Sequence, residues 1–253
     1  MKLYVFLALL LAGLCAAWVP APSTAGPKAA SRVPVVVELF TSEGCSSCPS
    51  ADAALRELEA AQAVPGVEVI ALGEHVDYWN RLGWKDVFSS PVYTERQRQY
   101  AQSFGTGSYT PQAVVNGRYE FVGSRTGELA ATVARAAQAP QAALSVAVRE
   151  GRASVEVRSL PAGTPAAEVL LAITERGLSS QVGRGENSGQ LLRHAAVVRR
   201  LIPLGRVQAD GTFSATTELA VAAAWQRPNL RAVALVQETA SRRIVGVAAA
   251  PVP

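Results

Sequence analysis

The sequence predicts an α/β domain followed by a smaller domain built of β-strands. Three observations lead to this prediction. A valine-rich apolar run at 33–40 is followed by a helix-patterned segment and a second strand, the order of a parallel β-α-β unit. Asn116-Gly117, a strong hairpin signal, joins two further strands. Beyond Ala139-Pro140 helical periodicity becomes scarce and short strands follow one another.

The α/β domain is predicted to span residues 26–138. Val33–Phe40 is its central strand, because a continuous run of valines is typical of a strand buried on both faces. Ser50–Gln62 repeats apolar residues at helical spacing, with acidic residues such as Asp52 on the opposite face. Pro65-Gly66 then ends the helix, and the following β-branched residues begin a second strand, 67–72.

A long insert, 74–107, follows the second strand and contains much of the aromatic content of the chain. Its second half, Pro91–Phe104, is predicted to be a helix because proline is favoured in the first helical turn. Strands at Gln112–Val115 and Arg118–Val122 are predicted to form a hairpin, and the helix Thr126–Ala137 closes the domain.

The second domain, residues 139–253, is predicted to be an all-β sandwich. Gly183–Gly189 is interpreted as a loop, with Glu186-Asn187 shaping a turn and His194 lying at an interface. The pattern of Leu191–Leu201 does not distinguish helix from strand. The predicted strands share β-branched residues and flanking turns, and are Ala143–Arg149, Ala153–Arg158, Val169–Thr174, Thr212–Leu219, Leu230–Glu238 and Ile244–Ala248.

Residues 1–25 have the pattern of a secretory signal peptide. Lys2 supplies a positive charge, Leu3–Val19 is apolar, and small residues end at Ala25. No later stretch is apolar enough to span a membrane, so we expect a periplasmic or secreted protein. Charged residues make up 17% of the chain and the arginines are scattered singly, which argues against a nucleic-acid-binding surface.

Removal of the signal peptide leaves two of the three cysteines, Cys45 and Cys48. They lie between a predicted strand and a predicted helix, where the helix dipole favours the thiolate. The short loop between them makes a structural staple a weak explanation, because disulfide stabilisation grows with loop length. The pair therefore predicts thiol–disulfide chemistry or metal binding. Cys45 is the expected nucleophile and Cys48 the expected resolving thiol.

Side chains after the second strand are further candidates. His75 and Asp77 follow that strand, and the ends of parallel strands share one edge of a sheet with Cys45. His75 would stabilise the thiolate or join the cysteines as a metal ligand; alternatively, it packs under the insert and bonds to Asp77. The aromatic residues of the insert, including Trp79, are expected either to cover this edge or only to pack the insert.

The first domain resembles the thioredoxin fold. The matching features are the apolar strand, Cys45-Ser46-Ser47-Cys48 opening a helix, the proline-headed strand that follows Thr110-Pro111, the hairpin and the closing helix. The resemblance implies that the Thr110–Pro111 bond is cis, that it faces the disulfide, and that it presents the Thr110 backbone to an extended substrate.

The chain departs from thioredoxin at three places. Gly44 replaces the usual tryptophan before the first cysteine, and Ser46-Ser47 replaces the Gly-Pro dipeptide between the cysteines. Glu38 lies one residue upstream of the buried acid that relays protons in thioredoxins. The resemblance makes Glu38 a candidate modulator of the cysteine pair.

A further resemblance rests on six segments of the chain, which are Glu38–Pro49, His75–Trp79, Leu82–Asp86, Tyr109–Gln112, Gly185–Asn187 and His194–Arg199. Through them the sequence resembles, over nearly the whole mature chain, a secreted family known as domain of unknown function 1223. The family resemblance implies the fold and leaves the activity open.

Three functions follow as hypotheses. The first is a cofactor-free thiol–disulfide oxidoreductase that acts on protein or peptide thiols and disulfides. The second is a copper- or zinc-binding module, not an enzyme, in which Cys45, Cys48 and His75 hold the metal. The third is a redox-inert adaptor whose β domain binds another envelope protein.

Overall fold

The computed structural model describes Met1 and residues 32–253, so the predicted signal peptide at 1–25 lies outside the described residues apart from Met1. The first half contains four strands and three α-helices in the predicted order, with β2 three residues longer than predicted. A 3₁₀ turn, Asn80–Leu82, lies in the insert. The elements are β1 (Val33–Thr41), α1 (Cys48–Ala61), β2 (Val67–His75), α2 (Pro91–Phe104), β3 (Gln112–Val115), β4 (Tyr119–Val122) and α3 (Thr126–Ala136).

Strand β1 is the centre of this half. It pairs in parallel with β2 and antiparallel with β3, and β3 pairs with β4. Alternate side chains of a strand face opposite sides of the sheet. Val37 and Leu39 accordingly pack with Leu55 of α1, whereas Phe40 packs with Tyr100 of α2. The helices α1 and α2 therefore cover opposite faces of β1, which explains why β1 is apolar throughout.

The second half is built of strands and one 3₁₀ turn, Arg227–Asn229. All six predicted strands are present, and the ambiguous segment Leu191–Leu201 becomes two strands. The three-residue strand β8 was not predicted. The strands are β5 (Ala143–Arg149), β6 (Arg152–Ser159), β7 (Ala167–Glu175), β8 (Ser179–Gln181), β9 (Leu191–Arg193), β10 (Val197–Arg206), β11 (Phe213–Glu218), β12 (Leu230–Glu238) and β13 (Ile244–Pro251).

One sheet crosses the predicted domain boundary. Its strand order is β13-β12-β7-β10-β2-β1-β3-β4, and β10 joins β2 where Val197 pairs with Gly73. The N–H of Gly73 donates to the Ala196 carbonyl at 2.6 Å. A Cβ on Gly73 would lie 3.2 Å from that carbonyl oxygen, so glycine permits this close approach.

The prediction of two domains, 26–138 and 139–253, is therefore corrected. Residues 32–253 form one compact unit. The physical reason is that β7, β10, β12 and β13 extend the sheet of the first half instead of forming their own. A three-stranded sheet, β11-β6-β5, packs on one face of this extension and gives it a sandwich-like second layer. None of the helices in residues 32–253 is long and apolar enough to cross a membrane.

Candidate functional site

The two cysteines form a disulfide at the junction predicted for them. Cys45 lies in the loop after β1, and Cys48 is the first residue of α1, followed by Pro49. The S–S distance is 2.12 Å, and Ser47 Oγ lies 3.4 Å from Cys45 Sγ. Both cysteines are only 1% exposed. In this oxidised form the disulfide is closed to solvent.

A loop from the second half of the chain contacts residues 42–47, the loop between β1 and α1 that contains Cys45 and that we call the cysteine loop. This cover loop, Gly183–Gly189, contributes Asn187, whose Nδ2 donates to the carbonyls of Glu43 at 2.9 Å and Cys45 at 3.0 Å. The Ser46 N–H donates to Glu186 Oε2 at 3.0 Å. The residues interpreted as turn-formers therefore bind the backbone on both sides of Cys45. The sequence offered one signal for this role, because Glu186 and Asn187 belong to a segment that resembles the family.

Two tryptophans of the insert pack on the residues that precede Cys45. Trp79 Nε1 donates to Thr110 Oγ1 at 2.9 Å, and a Cβ on Gly44 would lie 3.1 Å from the Trp79 Cβ. Trp84 Nε1 donates to Glu43 Oε2 at 2.7 Å. Trp79 thus connects the segment before Cys45 with Thr110. These contacts place part of the insert against the cysteine loop, as expected if the insert covers this edge of the sheet.

The Thr110–Pro111 peptide bond is cis, as the resemblance implied. Pro111 is buried at the start of β3, and its carbonyl accepts from the Gly123 N–H at 3.0 Å. That Pro111 faces the sulfurs stays a prediction.

His75 ends β2 and is fully packed. Its Nδ1 lies 2.6 Å from Asp86 Oδ2, which also accepts from the Glu43 N–H at 2.9 Å. The predicted partner, Asp77, instead accepts from Thr94 Oγ1 at 2.6 Å. Burial lowers the pKa of His75, but the surrounding carboxylates, Asp86 first, outweigh burial and raise the pKa above its usual value.

The second histidine of the chain lies beside the first. The rings of His194 and His75 are 4.9 Å apart in a T-shaped arrangement, and Phe88 packs edge-on against both. His194 Nε2 is 3.1 Å from Glu43 Oε1. The structure therefore places His194, taken from the sequence as an interface residue, in a buried group next to the cysteine loop.

Asp52 completes this group from α1. Its carboxylate accepts from Thr41 Oγ1 at 2.6 Å and from the Ala195 N–H at 3.1 Å. The sequence pattern placed Asp52 on the solvent face of the helix, but it is 3% exposed. Asp52 lies four residues after Cys48, so the two share a helical face, and that spacing was the signal available. We call Asp52, His75 and His194 the histidine cluster.

The Glu38 side chain lies on the α2 side of β1 and not with the histidine cluster. Its carboxylate binds Arg96 Nε at 2.6 Å and accepts from the Tyr100 hydroxyl, both on α2. Arg96 also bonds Gln237 of β12 at 2.9 Å, and its Nε lies 3.4 Å from Glu74 Oε1. Since α1 and α2 cover opposite faces of β1, the structure does not bring Glu38 to the helix that begins with Cys48.

The chain is similar to solved structures and to one family model. No protein with curated annotation matches the chain. Protein AGR_C_4864 from Agrobacterium tumefaciens, solved by X-ray crystallography, is 29% identical, with 85% of this chain and 92% of that chain covered at a TM-score of 0.66. A domain of the outer membrane lipoprotein Omp28 from Porphyromonas gingivalis is 13% identical over 43% of this chain and 94% of that chain, at a TM-score of 0.24.

The family model described as "Protein of unknown function (DUF1223)" matches residues 36–237, which include the cysteine pair, the histidine cluster and the cover loop. The chain therefore belongs to the DUF1223 family of proteins of unknown function.

Proposed function

We propose that this chain is a periplasmic or secreted thiol–disulfide oxidoreductase with a thioredoxin-like first half. The observation that carries the proposal is the Cys45–Cys48 disulfide, formed where the loop after β1 meets the N-terminus of α1. The positive end of the helix dipole favours negative charge on sulfur there. A thiolate is the species that attacks disulfides, so the position suits exchange chemistry.

The reaction follows from this arrangement. In the reduced protein the Cys45 thiolate attacks one sulfur of a substrate disulfide, and the substrate S–S bond breaks to release one substrate thiolate, which takes up a proton. Cys48, as thiolate, then attacks Cys45 Sγ of the mixed disulfide and releases the second substrate thiolate. Two electrons pass to the substrate, and the Cys45–Cys48 disulfide forms. Substrate oxidation is the same sequence in reverse.

The buried disulfide limits which substrates reach it. Asn187 and Glu186 hold the cysteine loop, and both sulfurs are closed to solvent. We expect the cover loop to move before a substrate sulfur meets Cys45. An extended peptide segment lying beside Thr110–Pro111 is the substrate class that this narrow approach favours.

The alternative, a copper or zinc site made of Cys45, Cys48 and His75, needs two free thiolates. The disulfide removes both sulfurs as thiolate ligands in the oxidised protein. This observation favours the oxidoreductase over the metal module.

Exchange with a model disulfide tests the proposal. The purified reduced protein is mixed with oxidised glutathione, and the free thiols and bound metal are measured over time. We expect wild type and the matched control Ser50→Ala, an exposed residue of the same helix, to form the disulfide and reduce glutathione. Cys45→Ser should abolish the exchange. An inert wild-type pair, or thiols protected by stoichiometric metal, would rule the proposal out.

A further inference from the structure

We infer that Asp52, His75 and His194 form a binding site for one divalent transition-metal cation of the zinc type. The site is separate from the sulfurs and does not depend on thiol–disulfide exchange by the protein. It is assembled from α1, the end of β2 and the segment between β9 and β10.

The side chains are close enough to share an ion. One candidate ligand atom from each of the three residues lies within 4.8 Å of the others, and all three residues are buried. Ligands of tetrahedral zinc are about 3.4 Å apart, given zinc–nitrogen distances near 2.1 Å. Metal binding would therefore draw the side chains together. A small cavity of about 10 Å³ borders Asp52 and His194.

Unpaired polar atoms point to a ligand at this place. Within residues 32–253, His75 Nε2 is buried without a hydrogen-bond partner, and His194 Nε2 and Glu43 Oε1, also buried, have only each other at 3.1 Å. Buried polar groups in proteins are nearly always hydrogen-bonded, so the isolated His75 Nε2 in particular requires an explanation. A bound cation would satisfy the imidazole nitrogens as ligands. Glu43 Oε1, 3.1 Å from His194 Nε2, is placed to supply a fourth ligand.

The hydrogen bonds that orient His75 and Asp52 are of the kind usually made by metal ligands. Histidine ligands commonly donate their second ring N–H to a carboxylate, which fixes the tautomer and the ring orientation. His75 has this arrangement through Nδ1 and Asp86 Oδ2, and it leaves Nε2 as the atom with a free lone pair. The carboxylate of Asp52 is likewise held in place, because it accepts hydrogen bonds from the Thr41 hydroxyl and the Ala195 N–H.

The charge of the cluster also favours a cation. Three buried carboxyl groups, those of Glu43, Asp52 and Asp86, surround the two imidazoles. Among the residues the structure describes, neither lysine nor arginine forms an ion pair with any of them. Buried charges are usually paired or bound to metal. Two imidazoles and a carboxylate with an open position suit zinc or ferrous iron.

Zinc titration of the oxidised protein tests the inference. The purified chain, with its disulfide intact, is stripped with a chelator and titrated with Zn²⁺ by calorimetry, and the bound metal is counted by mass spectrometry. We expect one equivalent. Asp52→Asn and His194→Gln should each weaken binding at least tenfold. Asp77→Asn, a nearby aspartate outside the cluster, and the double variant Cys45→Ser/Cys48→Ser should each retain one equivalent.

A second measurement uses wild type alone, so that its result does not depend on whether the variants fold. Co²⁺ added to the oxidised protein should give d–d absorption bands without a sulfur-to-metal charge-transfer band, because only nitrogen and oxygen ligands are present. The inference is overturned if oxidised wild type binds no metal, if folded cluster variants bind as tightly as wild type, or if the cysteine variant loses the metal. Because these readouts need no thiol, their failure is distinct from a failure of glutathione exchange.

Discussion

At the residue scale, the neighbours of the cysteine pair act on it in opposite directions. The N-terminus of α1 favours a thiolate, whereas the buried Glu43, two residues before Cys45, adds a carboxyl group that disfavours one. Sequence analysis recognised the pair because its spacing is local. It missed Asp86, Asp52 and His194 as neighbours, and the reason for His194 is distance along the chain, since 143 residues separate Asp52 from the Ala195 N–H that it binds.

The two cysteines should differ in reactivity. Cys45 lies in the loop before α1, whereas Cys48 is the first residue of the helix. If Cys45 is the nucleophile, as proposed, the reduced protein should be alkylated several times faster at Cys45 than at Cys48. Brief iodoacetamide treatment near neutral pH, followed by peptide mapping, gives the ratio. Faster labelling of Cys48 would reverse the assigned roles of nucleophile and resolving thiol.

Glu74 should make stability depend on pH. Burial, and next the nearby Glu38 carboxylate, raise the pKa of Glu74 well above its usual value, with Arg96 offsetting part of the rise. A raised carboxyl pKa means that the stabilisation is complete at low pH and is lost as pH rises through the folded-state pKa. Glu74→Gln, which resembles the protonated acid, should therefore gain stability relative to wild type at higher pH.

Urea unfolding at about pH 5 and about pH 9 measures this difference. We expect the free energy of unfolding of Glu74→Gln, relative to wild type, to improve by roughly 1 kcal/mol or more between the two conditions. Glu57→Gln, which changes an exposed glutamate, is the control and should show little change. A pH-independent difference for Glu74→Gln would contradict the assignment.

At the element scale, the cover loop is the part of the second half that touches the cysteine loop. A loop contact of this kind has no local pattern, because the carbonyls that Asn187 binds lie 144 and 142 residues away. The sequence predicted the loop itself, from its glycines, but not its position. By contrast, the helix Pro91–Phe104 and the hairpin strands β3 and β4 were predictable from capping and turn residues that act over a few positions.

Removing the Asn187 side chain should open the disulfide. Asn187→Ala loses both hydrogen bonds to the cysteine loop. Within residues 32–253 it leaves the Glu43 carbonyl unpaired, which costs roughly 1–3 kcal/mol if that carbonyl stays buried, whereas the Cys45 carbonyl keeps the Cys48 N–H at 3.2 Å. We expect dithiothreitol to reduce the Asn187→Ala disulfide several times faster than that of wild type. The control is Gln181→Ala in β8, whose side chain donates to the Gly189 carbonyl at the end of the cover loop and not to the cysteine loop. Equal reduction rates for all three proteins would show that the cover loop does not limit access.

The two halves of the molecule share one sheet and two buried polar groups, the histidine cluster and the group around Arg96. Arg96 joins α2 to β1 and β12 through Glu38 and Gln237. The sheet continues from β2 to β10 through a short junction at Gly73. Local patterns predicted ten of the thirteen strands in residues 32–253, but not β10, which joins the halves. That joining depends on a few long-range contacts, which leave no periodic signal. The predicted domain boundary was wrong for that reason.

A single compact unit should unfold in one cooperative step. We expect residues 32–253 with the disulfide intact to show one calorimetric transition, with equal calorimetric and van't Hoff enthalpies. Arg96→Met should lower the melting temperature of that one transition, because it leaves Glu38 buried without its cation. Two separable transitions, one for each half, would contradict the single unit.

Trapping the mixed disulfide shows whether the Cys45–Cys48 pair exchanges disulfides with a substrate. In Cys48→Ser the resolving thiol is absent, so a peptide disulfide that reacts with Cys45 should remain attached. Mass spectrometry of the intact protein should then show one peptide linked through Cys45, whereas Cys45→Ser should show little or none. Failure of Cys48→Ser to form this adduct, with the protein folded and Cys45 reduced, would contradict the account.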